Sequence, residues 1–116
     1  EDHQFQAIED LFQDQGKKAP FQVLTYGVLY RHNHPLQGPM RGHLYTVRQM
    51  NQAGFYPNLM QNKSPLDLQE ALPEFEERLR DLMENAIFNP EIPITQTSDT
   101  ESVCKHCPYS TICHRD

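Results

Sequence analysis

The chain is poor in apolar residues. Hydrophobic side chains make up 37% of it and the mean hydropathy is -0.74, where roughly 45–50% apolar (glycine included) is usual for a globular domain. A core drawn from so little is small, or is completed by residues of another chain. No apolar run is long enough to span a bilayer, and no leader pattern is present. No initiator Met stands at the start, and Phe5, Ile8, Leu11 and Phe12 are already in helical register. The chain therefore reads as a soluble piece of something longer. Basic residues are also few: 10 Lys and Arg stand against 16 Asp and Glu, for a net charge of -6. Non-specific nucleic-acid binding rests on cations that neutralise phosphates, so by bulk charge this is a poor DNA-binding module, with six His adding charge only below about pH 6.5. Cysteine is absent from the first 103 residues; all three lie in the last thirteen. An odd, clustered set is no secreted disulfide framework and implies a reducing, cytoplasmic setting. Glycine-rich phosphate loops, nucleophile elbows, H-E-x-x-H motifs and internal repeats are all missing.

What is present reads as a mostly helical α+β chain. The spacing of Phe5, Ile8, Leu11 and Phe12 predicts a helix over residues 3–15, closed by Gly16. Pro20 suits the first turn of a second helix running to about Arg31. His32, Asn33, His34, Pro35, Gly38 and Pro39 mark a loop. Alternation and β-favouring residues predict a strand over residues 42–50, with Tyr45 and Val47 joining the core. A lone strand needs partners, from outside this segment or from a second copy, which predicts self-association. Ser64-Pro65 or Leu72-Pro73 opens a last long helix. Its apolar stripe is Phe75, Leu79, Leu82, Met83 and Ala86, and its wet face Glu76, Glu77, Arg78, Arg80 and Asp81. Asn89-Pro90 ends it, and a Pro- and Thr-rich tail leads to the cysteines.

Three groups of residues carry candidate chemistry. Gln22 and Tyr26 lie four apart on the second helix, so they share one face and form a polar ledge on an otherwise apolar element. An unpaired buried amide costs roughly 1–3 kcal/mol, so Gln22 has a reason to be there; the plain reading is a core helix whose two polar groups are satisfied. The tail Cys104-Lys105-His106-Cys107-Pro108-Tyr109-Ser110-Thr111-Ile112-Cys113 offers a C-x2-C pair and a third thiol. Zinc and an iron–sulfur cluster each want four ligands, one more than these; an incidental pair, free or oxidised, is the alternative. His32 and His34 read as loop residues, and Glu70, Glu74, Glu76 and Glu77 as a solvated helix face rather than metal ligands.

Taken in order, Gln22-x-x-x-Tyr26, the run Gly42-His43-Leu44-Tyr45-Thr46-Val47-Arg48, and the ending Ile87-Phe88-Asn89-Pro90 followed by Cys104-x2-Cys107-Pro108-Tyr109-x2-Ile112-Cys113 resemble the C-terminal part of a RecB-like nuclease domain of the PD-(D/E)XK superfamily. The likeness is to the AddB kind found in bacterial helicase–nucleases of double-strand-break repair, and Ile8-Glu9-Asp10-Leu11-Phe12 resembles the segment after the catalytic Lys strand there. The resemblance implies a C-terminal fragment of a restriction-endonuclease-like fold with one or two strands. Residues 1–103 would be nuclease-like and residues 104–116 a cysteine-rich, cluster-binding tail. It implies that Gln22 and Tyr26 lie beside the catalytic carboxylates. It also implies that Cys104, Cys107 and Cys113 are three ligands of a four-iron, four-sulfur cluster, with zinc as the alternative metal. Partners would be DNA, through the parent protein, and a helicase or nuclease subunit. The family's metal-binding Asp and its Asp/Glu-x-Lys pair, which hold magnesium, are not in this sequence and would precede Glu1, so this chain alone should be inactive. A non-catalytic nuclease-like or zinc-binding interaction module is the alternative function.

Overall fold

The computed structural model describes residues 3–35 and 37–115. In chain order they form β1 (Gln4–Phe5), a single helical turn α1 (Asp10–Gln13), a 3-10 turn (Gln15–Lys17), α2 (Lys18–Asn33), β2 (Met60–Gln61), β3 (Ser64–Pro65) and α3 (Leu68–Asp81), which runs on into a π-helical turn at Leu82–Ile87. The architecture is α+β and mostly helical.

Two helices make the frame. Along α2 the buried residues are Pro20, Leu24, Gly27 and Val28, the i, i+4, i+7, i+8 pattern of a core-facing stripe. Along α3 they are Leu68, Ala71, Leu72 and Phe75. The stripes meet closely: a Cβ built on Gly27 would lie 3.1 Å from the Leu72 Cδ2. Phe75 is fully buried and closes an aromatic triad, 5.2 Å from Phe21 and 5.4 Å from Phe12. Phe5, Ile8, Leu11, Leu59 and Leu66 complete the core.

Asp67 starts α3. Its carboxylate accepts from the Gln69 N–H at 3.0 Å, the standard N-cap bond. The same oxygen accepts from the Met40 N–H at 3.0 Å, and the Met40 carbonyl accepts from the Leu68 N–H at 2.8 Å. One side chain thus both begins the helix and anchors the segment that crosses α2. Neither expected proline opens this helix: Pro65 lies in β3 and Pro73 inside α3, on its exposed side.

Residues 3–15 are not one helix. Phe5 pairs parallel with β2, and the Asp10 carboxylate accepts from the Gln6 and Ala7 N–H groups, so a side chain takes donors that a continuous helix would use. The strand–turn–helix path still turns Phe5, Ile8 and Leu11 inward. The sheet is small, of order β1-β2-β3, with β2 and β3 antiparallel. The turn between them puts Asn62 at φ 50 and Lys63 at φ 65, the paired left-handed residues of a type I′ hairpin.

The strand over residues 42–50 does not form. An isolated bridge joins His43 to Asn58, and the chain then turns at Thr46, whose carbonyl accepts from the Gln49 and Met50 N–H groups while its hydroxyl bonds the Gln49 side chain. Thr46 spends its bonds locally instead of on a ladder. Tyr45 and Val47 are exposed, not core; Leu44 packs against the core in their place. The strand edge from which self-association was argued is therefore not built. Of the C-terminal stripe, Phe75 is buried and Leu79 packs against the core, but Met83 and Ala86 are exposed. Among the described residues no helix is long and apolar enough to cross a membrane. The radius of gyration is 16.9 Å, where about 13 Å suits a compact chain of this length; the apolar residues Met83, Ile87, Phe88, Ile92 and Ile94 beyond α3 are exposed.

Gly42 lies where the crossing segment touches α2. A Cβ there would meet the Val23 Cγ1 at 2.8 Å and the Leu59 Cδ1 at 3.2 Å. Gly42→Ala is expected to lower stability by about 1–3 kcal/mol, the range for overpacking a core, read as the midpoint of urea unfolding. An unchanged midpoint would show that this segment lifts off without cost.

Candidate functional site

At 100° per residue, the stripe that α2 buries leaves Gln22 and Tyr26 on the opposite side. Both are exposed, Tyr26 at 59%. The Gln22 Nε2 donates to the Tyr26 Oη at 2.9 Å. The amide is therefore not a buried group in need of rescue; its bond to the phenol fixes both side chains against each other at the surface. Leu29 and Tyr30 extend the same exposed face, and Tyr30 stacks on His34 with ring centroids 4.5 Å apart.

Beside the ledge lies a cavity of about 450 Å³, walled by His3, Gln15, Gly16, Lys18, Ala19, Gln22, Leu44 and Thr46. An amide and a phenol can orient a water or a phosphate oxygen. They cannot replace the carboxylates that a hard cation such as magnesium requires. No Asp/Glu-x-Lys occurs in the sequence. Among the described residues no group of three or more His, Cys, Asp or Glu is placed to hold a metal ion.

His32 and His34 diverge: the Nε2 of His32 lies 2.9 Å from the Glu76 Oε1, while His34 covers Tyr30. Glu76 is thus no idle member of a wet face. It also pairs with Arg31, and Arg80 approaches at 3.6 Å, so it clamps the end of α2 to α3. The His32 hydrogen bond, with Arg31 beside it, holds its carboxyl below the usual value of 4.5. Arg78 is likewise engaged. Its Nε and a terminal nitrogen grip the two oxygens of Glu9 at 2.7 and 2.8 Å, its guanidinium sits 5.2 Å above the Phe12 ring, and the Glu9 carboxyl is lowered in turn. This fork ties the N-terminal turn to α3.

In the tail, Cys104 begins a 3-10 turn, Cys104–His106, and its carbonyl accepts from the Cys107 N–H at 3.1 Å. The Cys107 Sγ accepts from the Tyr109 N–H at 3.4 Å. All three thiols are free, Cys104 buried and the other two partly so. Arg115 donates to the Thr97 carbonyl at 2.9 Å and fastens the tail to the irregular segment that leads into it. Hydrogen bonds to sulfur suit a ligating thiolate, yet three thiols are one short of a tetrahedral zinc or a cubane cluster. The donor set present does not complete such a site.

A family model described as the PD-(D/E)XK nuclease superfamily matches residues 3–114. The chain belongs to that superfamily, and its α+β architecture is that of part of a restriction-endonuclease-like fold. No curated protein and no solved structure matches it.

The carboxylates of Glu9, Asp10 and Glu76 all titrate below their ordinary values. A carboxyl with a lowered pKa stabilises the fold above its unfolded value and loses that contribution as pH falls through the folded one. The urea midpoint should therefore drop below about pH 4.5, and Glu76→Gln should flatten that drop. A midpoint constant down to about pH 3 would show that these pairs do not hold the native state.

Proposed function

We propose that the chain is the C-terminal part of a RecB-like, AddB-type nuclease domain, belonging to a magnesium-dependent DNA exonuclease within a cytoplasmic helicase–nuclease of double-strand-break repair. The observation that supports this reading most is the Gln22–Tyr26 pair: two neutral polar groups, bonded to each other, held outward on a helix whose other side is packed into the core. Such a pair positions a phosphate or a water; it does not break the bond. The bond-breaking charges belong to the superfamily's Asp and Asp/Glu-x-Lys, which in this reading stand N-terminal to Glu1 and bring the ledge to one wall of the site. Bound by those carboxylates, magnesium supplies the charge that activates water and stabilises the leaving oxygen. Cys104, Cys107 and Cys113 supply three ligands of a four-iron, four-sulfur cluster whose fourth comes from the same upstream region. DNA reaches this segment through the parent protein, alongside a helicase or nuclease partner subunit.

A second reading is a non-catalytic or zinc-binding interaction module, favoured by the absence of Asp/Glu-x-Lys from the sequence. Cleavage of linear DNA separates the two. The chain alone, with magnesium, should leave DNA intact, while a protein extended upstream through Asp and Asp/Glu-x-Lys should degrade it and stop when EDTA is added. An extended protein that carries those residues and cleaves nothing under any divalent metal would overturn the nuclease reading. One tightly held zinc per chain, lost on Cys107→Ala, would establish the module.

A further inference from the structure

The cysteine tail carries a chemistry separate from that of α2. Cys104 and Cys107 are the two ends of one turn, closed by the bond from the Cys107 N–H to the Cys104 carbonyl at 3.1 Å. A turn closed in this way brings its end Cα atoms within about 7 Å, and side chains three apart on a 3-10 turn eclipse one another. A disulfide needs Cα atoms roughly 4.4–6.8 Å apart, with their Cβ atoms turned together. The backbone thus already holds this pair in the range that a bridge requires.

Cys113 stands apart. Two further turns carry the chain to it, in which the Ser110 N–H bonds the Cys107 carbonyl at 3.3 Å and the Cys113 N–H bonds the Tyr109 carbonyl at 3.2 Å. Three thiols directed at one point would form a group able to hold a metal ion, and no such group occurs among the described residues. The folded tail therefore presents a pair and a single thiol. Exposure sets an order within the pair. Cys104 is only 8% exposed, while Cys107 is partly buried, and the Tyr109 N–H, 3.4 Å from the Cys107 Sγ, fixes the direction of that sulfur. A reagent from solution reaches Cys107 first.

We propose that Cys104 and Cys107 are a reversible thiol–disulfide modification site, with Cys107 the entry sulfur, Cys104 the resolving one and Cys113 uninvolved. The co-reactant is a small disulfide of the oxidised-glutathione class. The Cys107 sulfur attacks that disulfide, which forms a mixed disulfide and releases one thiol. The Cys104 sulfur then attacks the Cys107 sulfur, closing the protein bridge and releasing the second thiol. The pair gives up two electrons and two protons, and the reagent takes up both. A closed pair has no thiolate to give a metal, so the tail could not serve as the three-ligand set proposed above until it is reduced. The inference rests on the geometry of the turn and on no part of the nuclease reading.

The test treats the full 116-residue chain, reduced and freed of metal with EDTA, with oxidised glutathione, then blocks remaining thiols with N-ethylmaleimide for mass spectrometry. Trypsin cuts after Lys105, between the two cysteines, so peptides 81–105 and 106–115 stay joined only through a bridge from Cys104. Fragmentation of the joined peptides then tells Cys107 from Cys113. The expected product is bridged at Cys107, with Cys113 bearing maleimide or glutathione. Cys104→Ser should trap glutathione on Cys107, and Cys113→Ser should leave the bridge unchanged. In urea, which dissolves the turn, bridges to Cys113 should appear. A native bridge at Cys113, glutathione persisting on Cys107 of the wild-type chain, a pair that stays reduced, or the same distribution of bridges with and without urea would each overturn the proposal. The wild-type readings decide it even where a variant fails to fold. Such a failure would leave cleavage by the extended protein untouched, so the two readings fail separately.

Discussion

Everything placed on the surface depends on the packing of α2 against α3. Leu24, Gly27 and Val28 face Leu68, Leu72 and Phe75, and the absence of a side chain at Gly27 lets Leu72 come close. Fixing one side of α2 in this way fixes the other. Gln22 and Tyr26 cannot turn inward without pulling Leu24 and Val28 out of the core, where burying such a side chain is worth roughly 1.5–3 kcal/mol. The ledge is therefore rigid because of residues that never touch it.

Polar contacts lock the same frame from three sides. Asp67 binds the start of α3 and the Met40 backbone together. Glu76 clamps the end of α2 through Arg31 and His32. The Arg78 fork on Glu9, resting on Phe12, holds the N-terminal turn. These pairs are partly exposed, and ion pairs of that kind add little net stability on their own. Their effect is to choose one arrangement of elements among those the small core would accept.

Much of this was legible in the residues, unevenly. Helix α2 was clear from its length and from Pro20 in its first turn. The inward set Phe5, Ile8 and Leu11 was also clear, but its shape was not. Spacing of three suits both a helix and a short strand followed by a turn, and the Asp10 carboxylate decided for the turn. Alternation over residues 42–50 was misleading because both of its faces are mixed in polarity, so no burial held the register, and Thr46 found local bonds. The true strands, two residues each, are too short to show a period. On α3, Glu76 and Arg78 read as solvated from sequence, since their partners lie far away along the chain.

The functional account joins these pieces. A superfamily match over nearly the whole chain, an outward Gln–Tyr pair and the absence of Asp/Glu-x-Lys support the proposed reading, in which this surface positions a substrate whose bond is broken by other residues. The direct test is Gln22→Ala in the extended protein, with kcat/KM for DNA degradation and the melting temperature measured on the same sample. A fall of about tenfold or more in kcat/KM, the scale of a lost positioning contact, with an unchanged melting temperature is the result this account predicts. Full activity, or activity lost only in step with the fold, would contradict it.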